Sequence, residues 1–207
     1  SVRTVSAQPS AGQPASKAPV LIMNDTVKIP TEWFLKLDYP EQLCHWVRHI
    51  REDRSGTLWF GTNHYGLIRY ANDTLEYLAD SAGITTGRIN GIVEGADGIL
   101  WVATDGEGLF KYDPSTRYSA RHGFSQLTTK DGLLHNTIWS MSIGRDGVMW
   151  IGTINGLCAY DGQTFTTIEL PATTAVDSLV QLSPTRITCL MEDSQGKIWF
   201  GRDGDGL

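Results

Sequence analysis

Short apolar strings recur along most of this chain, each broken by a cluster of Asp, Ser and Gly. The strings WVRHIRE (46–52), RINGIVE (88–94), TIWSMSI (137–143) and RITCLME (186–192) read as a first kind of strand. Each is followed by a four-residue turn, DRSG, GADG, GRDG or DSQG, whose final Gly suits the left-handed position of a hairpin loop. A second apolar string comes next: TLWFGT, ILWVAT, VMWIGT, KIWFGR. A third follows as GLIRY, GLFKY, GLCAY and a final GL, and weaker fourth strands are TLEYL (74–78), FSQLT (124–128) and FTTIEL (165–170). Runs of this length, rich in β-branched and aromatic residues and bounded by turn residues, predict strands rather than helices.

The four strings form one unit that repeats. Trp59, Trp101, Trp150 and Trp199 mark it at intervals of 42, 49 and 49 residues. All four carry Gly three positions earlier and Gly or Ala two positions later, which Trp33, Trp46 and Trp139 do not. A period in the forties built of strands predicts an all-β fold, a β-propeller with four-stranded antiparallel blades. Blades are expected over 45–87, 88–136, 137–185 and, incomplete, 186–207. That makes about three and a half blades of a partial ring, 45–207. A partial ring leaves blade faces open, so the remaining blades of the same propeller, or another copy, are expected partners.

Residues 1–19 are Ser-, Ala-, Pro- and Gln-rich and read as a flexible tether. Residues 20–44 read as a lead-in segment in which Trp33, Phe34 and Leu35 pack against the first blade. The chain opens on Ser1 rather than Met, as a processed product would, and shows no targeting segment.

Charge narrows the function. The net charge is −6 with no basic run, which argues against a nucleic-acid surface. No apolar run approaches a membrane span. Cys44, Cys158 and Cys189 lack metal-ligand spacing and read as buried free thiols. His45 and His49 sit in a strand, where four-residue spacing does not bring two ligands together. TDGEG (104–108) and RDGDG (202–206) lack the full ligand series of a calcium loop. No nucleophile elbow, phosphate loop or catalytic carboxylate pair is visible. No metal, cofactor or enzymatic activity is therefore expected.

The stretch GLLHNTIWSMSIGRDGVMWIGTINGLCAYDGQTF (132–165) resembles the two-component regulator propeller repeat. The resemblance recurs four times over about 45–207. It implies a seven-bladed ring and the extracytoplasmic sensor of a bacterial two-component system, periplasmic or secreted, responding to polysaccharide breakdown products. Departures are Ala103 for the Gly, Arg202 for the Thr, and Gly87 and Thr185 where Asn136 carries the crossing Asn. No kinase or membrane segment accompanies the repeats. An interaction scaffold without a small-molecule site is the alternative, and a virginiamycin B lyase-like enzyme a third reading.

Two residue sets carry these expectations. The repeat tryptophans Trp59, Trp101, Trp150 and Trp199 are expected to fill the space between blades. The turns between second and third strands and the crossings between blades should share one face. There Asn63, His64, Tyr65, Asp105, Glu107, Asn155, Arg202, Asp203 and Asp205, with Arg88, Asn136 and Arg186 from the crossings, form a polar set. Trp139, outside the repeat pattern on an innermost strand, should reach the central channel. An oligosaccharide is the expected ligand.

Overall fold

The computed structural model describes residues 20–22, 46–78, 82–84, 87–116, 123–171 and 185–203. The expected tether, Trp33, Phe34, Leu35, Cys44, His45 and Asp205 lie outside the described residues. Strand β1 (Val20–Ile22) precedes the first repeat. Blade 1 contains β2 (Val47–Glu52), β3 (Leu58–Thr62), β4 (Leu67–Ala71) and β5 (Thr74–Tyr77). Blade 2 contains β6 (Ile89–Glu94), β7 (Leu100–Thr104), β8 (Leu109–Tyr112) and β9 (Phe124–Leu127). Blade 3 contains β10 (Ile138–Ile143), β11 (Met149–Thr153), β12 (Gly156–Tyr160) and β13 (Phe165–Ile168), and blade 4 contains β14 (Ile187–Glu192) and β15 (Ile198–Arg202).

Each blade is an antiparallel meander in chain order. In addition, β1 runs parallel to β5, with Val20 opposite Thr74, and so extends the outer edge of blade 1. An all-β arc of about three and a half propeller blades results. Strand edges invite further pairing, and β1 covers the one blade 1 would otherwise present.

Apolar strings become second strands because these strands are buried on both faces. In β3, Trp59 faces blade 2 and joins Leu67, Ile89, Val102 and Phe110 in the core of the first seam. Its neighbour Phe60 faces the other way, onto Ile68, Leu75 and Tyr77. A strand covered on both sides loses the alternation of polar and apolar residues. The second seam repeats the plan, with Trp101, Ile138, Ile151 and Tyr160 in one cluster.

The seams are aromatic ladders. The Trp59 ring lies 5.0 Å from Tyr112 of the next blade, and Tyr112 lies 4.8 Å from Phe124. Trp101 meets Tyr160 edge-on at 5.7 Å, and Tyr160 stacks on Phe165 at 4.4 Å. Each tryptophan also carries a cation of its own third strand over its face, Arg69 at 5.9 Å and Lys111 at 5.7 Å. Such ring contacts add to burial the electrostatics of the ring quadrupole.

This corrects the expectation for one repeat tryptophan. Trp59 and Trp101 are 1% and 7% exposed, but Trp199 is 50% exposed. Trp150, facing the two-stranded blade 4, is half-buried. The position supplies the tryptophan, and the following blade supplies the burial. Cys189 is exposed for the same reason, whereas Cys158 is a buried free thiol whose pKa burial pushes up.

Ala103 has a compensating partner. In blades 1, 3 and 4 the small residue of the second strand is Gly61, Gly152 or Gly201, paired with His49, Ser140 or Cys189. In blade 2 the pair is inverted, with Ala103 opposite Gly91. A Cβ on Gly61 would come within 2.8 Å of Ile89 in the next blade, and one on Gly152 within 2.7 Å of Ile187. The small residue is therefore where one blade's sheet meets its neighbour's first strand.

The turns between first and second strands also link blades. Arg54 donates its backbone N–H to Glu94 of blade 2 at 3.2 Å and its guanidinium to the Ala96 carbonyl. Arg145 repeats this from blade 3 to blade 4, reaching Glu192 at 2.8 Å and the carbonyls of Ser194 and Asp193. The seam between blades 2 and 3 has no such clamp: Ala96 stands at the Arg position, and Ile143, packed into the second cluster, stands at the Glu position.

Candidate ligand-binding rim

The first strand of every blade carries a β-bulge. Pairing skips Arg48, Asn90, Trp139 and Thr188 in β2, β6, β10 and β14. A bulge adds a residue to one strand and re-aims its side chain. Two of these side chains turn toward the next blade: Asn90 Nδ2 donates to the Ile138 carbonyl of blade 3 at 2.8 Å, and Trp139 lies against Arg186 of blade 4, whereas Arg48 and Thr188 bond Asn63 and the Gly201 carbonyl of their own blades.

One backbone hydrogen bond recurs in all four blades at the same end. Asn63 N–H donates to the Trp46 carbonyl, Asp105 to Arg88, Ile154 to Thr137 and Asp203 to Arg186, at 3.0 to 3.2 Å. Each bond sets the first turn residue after the second strand beside the residue that opens the first. Turns and crossings thus share one rim. In blade 2 the facing side chains are an ion pair, Arg88 to Asp105 at 2.7 Å, and in blade 4 Arg186 to Asp203 at 3.0 Å. In blades 1 and 3 the facing residues are uncharged.

Buried threonines hold the turns. The Thr62, Thr104 and Thr153 hydroxyls donate to the carbonyls of Gly66, Gly108 and Gly156 at 2.8 to 3.0 Å. They accept the N–H groups of Tyr65, Glu107 and Asn155. Arg202 takes the threonine position in blade 4, as the last residue of β15, and donates to the Pro171 carbonyl at 3.0 Å.

The crossing residues have tethering contacts. The Asn136 carbonyl accepts N–H groups from Gly106 and Gly108 of the preceding blade, and its side chain accepts from Thr129 N–H at 2.9 Å. The Gly87 carbonyl receives Gly66 N–H likewise, and Thr185 Oγ1 donates to the Ile154 carbonyl. Gly87 has φ +69°, and a Cβ there would approach the His64 carbonyl at 2.7 Å. Glycine is required at this crossing by both conformation and space.

Of the expected rim residues, His64 and Asn155 are exposed, and Tyr65 packs partly on the blade 1 face. His64 Nε2 lies 3.0 Å from Asn63 Nδ2, and its ring sits 5.6 Å from Trp46. Glu107 contributes its carbonyl to Gln126 at 2.8 Å. The sequence reading missed Trp46, Arg48 and Asn90. The rule that strand pairing breaks once per first strand would have found the last two, but a bulge leaves no local sequence mark. Among the described residues, no three His, Cys, Asp or Glu side chains gather as a metal centre would, and no helix is long and apolar enough to cross a membrane.

Antiparallel four-stranded blades set seam to seam, with turns and crossings on one rim, define a β-propeller array. Four stretches, 42–64, 83–106, 132–155 and 181–201, match the model of the two component regulator propeller. The array belongs to that family. A curated relative, histidine kinase P4 of Formosa agariphila, is 36% identical over 159 residues, covering 75% of this chain and 11% of its own length. The chain is also similar to the extracellular domain of a protein assigned as a hybrid two component system of B. thetaiotaomicron, with TM-score 0.64 and 25% identity. That match covers 80% of this chain and 22% of the solved one. Virginiamycin B lyase from Staphylococcus aureus shares the fold, with TM-score 0.53 and 14% identity over 74% of this chain and 48% of its own. The chain thus spans a small part of the regulators it matches.

Proposed function

We propose that this array is part of an extracytoplasmic sensing propeller whose rim of turns and crossings receives a polar ligand of the oligosaccharide class. The observation that carries it is the hydrogen bond repeated from turn to crossing in four blades. It holds the backbone constant while the side chains it presents change: Trp46 and Asn63, Arg88 and Asp105, Thr137 and Ile154, Arg186 and Asp203. A fixed scaffold with varied polar groups is the ordinary design of a recognition surface. The family, and relatives described as a histidine kinase and a two component system, support a sensing rather than a catalytic role.

Binding of this kind is modest in affinity, because turn hydrogen bonds must offset desolvation and ordering. Calorimetry of the chain against a panel of neutral and acidic oligosaccharides tests it. His64→Ala and Asn155→Ala, both exposed, should weaken binding and leave the melting temperature unchanged. A well-folded protein that binds nothing across the panel would favour the scaffold reading.

A further inference from the structure

The clamped seams have a donor half and an acceptor half. Arg54 N–H donates to Glu94 and Arg145 N–H to Glu192, and each guanidinium bonds carbonyls of the turn that follows that glutamate. Arg54 Nε also lies 3.7 Å from Glu94 Oε1. The acceptor is in both cases the residue that ends a first strand, β6 or β14. Glu52 ends β2 in the same way. Its environment differs: the Glu94 side chain is 6% exposed, whereas Glu52 is open to solvent. Ile50, two residues away on the same face of β2, is 53% exposed, while its counterpart Ile92 lies within the first seam.

Blade 4 is open at the other end of the arc, where Trp199 and Met191 are exposed on one face. Its turn carries Ser194 where blades 1 and 3 carry Arg54 and Arg145. A second copy set head to tail would bring apolar surface to apolar surface, but Ser194 to Glu52. Serine has no guanidinium for the carboxylate or for the carbonyls beyond it. Covering a carboxylate without a cation leaves its desolvation uncompensated. The three described seams all avoid this: an arginine turn meets a glutamate twice, and the neutral Ala96 turn meets Ile143.

We infer that the open face of blade 1 is an interface for a β-blade outside this array whose first turn carries arginine at its second position. Glu52 is the selecting residue on this face, and Ser194 keeps blade 4 of another copy from satisfying it. The two ends of the arc are thus mismatched to each other, and copies of the chain do not stack head to tail despite the apolar side chains both ends expose. This holds whatever the rim binds.

The test gives blade 4 the missing half. Sedimentation velocity of the 207-residue chain across a concentration series reads self-association for the wild type, Ser194→Arg, Ser194→Gln and the double variant Ser194→Arg with Glu52→Lys. Both positions are exposed, and unchanged melting temperatures verify the fold. Ser194→Arg should tighten association roughly tenfold, the worth of one charge-assisted hydrogen bond. Ser194→Gln should behave as the wild type, and the double variant should lose the gain. About 1 M salt, where the Debye length is about 3 Å, should abolish the gain as well, which serves if the double variant does not fold. Wild type that associates as tightly as Ser194→Arg overturns the inference, as does a gain shared by Ser194→Gln. A gain that survives Glu52→Lys or high salt overturns the role of Glu52. A Ser194→Arg chain that stays monomeric shows that arginine is not what this face selects.

Discussion

Trp59 and Trp199 occupy the same position in blades 1 and 4, and their immediate bonding is the same. Each indole N–H donates to the carboxylate six residues earlier, Asp53 or Asp193, at 2.8 Å. In each blade that aspartate also accepts backbone N–H groups from its own turn. Yet Trp59 is enclosed and Trp199 is half in water. The difference lies in what surrounds the rings: Arg69 and Leu67 of its own blade's third strand and Tyr112 and Phe124 of blade 2 close over Trp59, and no described element closes over Trp199. A blade builds its own turn, strand and indole hydrogen bond. The seam, and with it most of the burial, comes from two blades together.

The largest effect should come from the indoles themselves. Trp59→Ala should lower unfolding stability by about 3–5 kcal/mol, as large-to-small core substitutions do. Trp199→Ala should lower it by under about 1 kcal/mol, as surface substitutions do. Urea denaturation measures both, and equal losses would break the comparison.

A smaller effect should follow from the close approach of sheets. Gly61→Ala drives a methyl into Ile89 of the neighbouring blade and should destabilise by about 1–3 kcal/mol. At Gly201 the side chains in reach, Cys189 and Thr188, belong to the same blade, and Cys189 lies on an exposed face where it can turn aside. That substitution should change stability by roughly half a kcal/mol or less. The same denaturation series reads this pair, and a Gly201→Ala loss as large as that of Gly61→Ala would place a neighbour where none is described.

The smallest effect is electrostatic. Desolvation pushes the Asp53 carboxyl up, but hydrogen bonds from Ser55, the Trp59 indole and the Thr57 and Ser55 N–H groups outweigh it and hold the pKa below its ordinary value. A depressed folded pKa contributes stability that is present above the unfolded pKa. It fades as pH falls through the folded value. The melting-temperature gap between the wild type and Asp53→Asn should therefore be open at neutral pH and narrow below the ordinary carboxylate range. A gap independent of pH would show that the hydrogen bonds do not depend on the charge.

The same distinction between blade and seam explains how much was legible in the sequence. Strands, turns and the tryptophan spacing are local, so the Gly-x-x-Trp signal located all four repeats, and the second strands lie where the apolar strings predicted. Exposure at Trp199 was legible only in the open blade faces expected of a partial ring, because the Gly-x-x-Trp pattern itself is the same at all four tryptophans. Arg54 and Glu94 stand 40 residues apart, and only the folded arc shows that they touch. The Ala103 substitution is an isolated departure in the sequence, and its pairing with Gly91 emerges only in the sheet. At the rim, Asp105, Arg88, Arg186 and Asp203 were found as turn and crossing residues. Arg48 and Asn90 were hidden because a bulge shifts pairing without changing the string of residues around it.

The clamped seams give the array a grammar for rearrangement. Arg54 answers Glu94, Arg145 answers Glu192, and between them Ala96 answers Ile143, so the polar junction recurs at every second joint. Excision of blade 2 alone would set Arg54 against Ile143, and the Arg54 N–H would lose the carboxylate that accepts it. Excision of blades 2 and 3 together would set Arg54 against Glu192 and restore the match. Repeat genes change length by duplication and loss, and in this array the unit that can be copied or dropped without misreading its neighbour is a pair of blades.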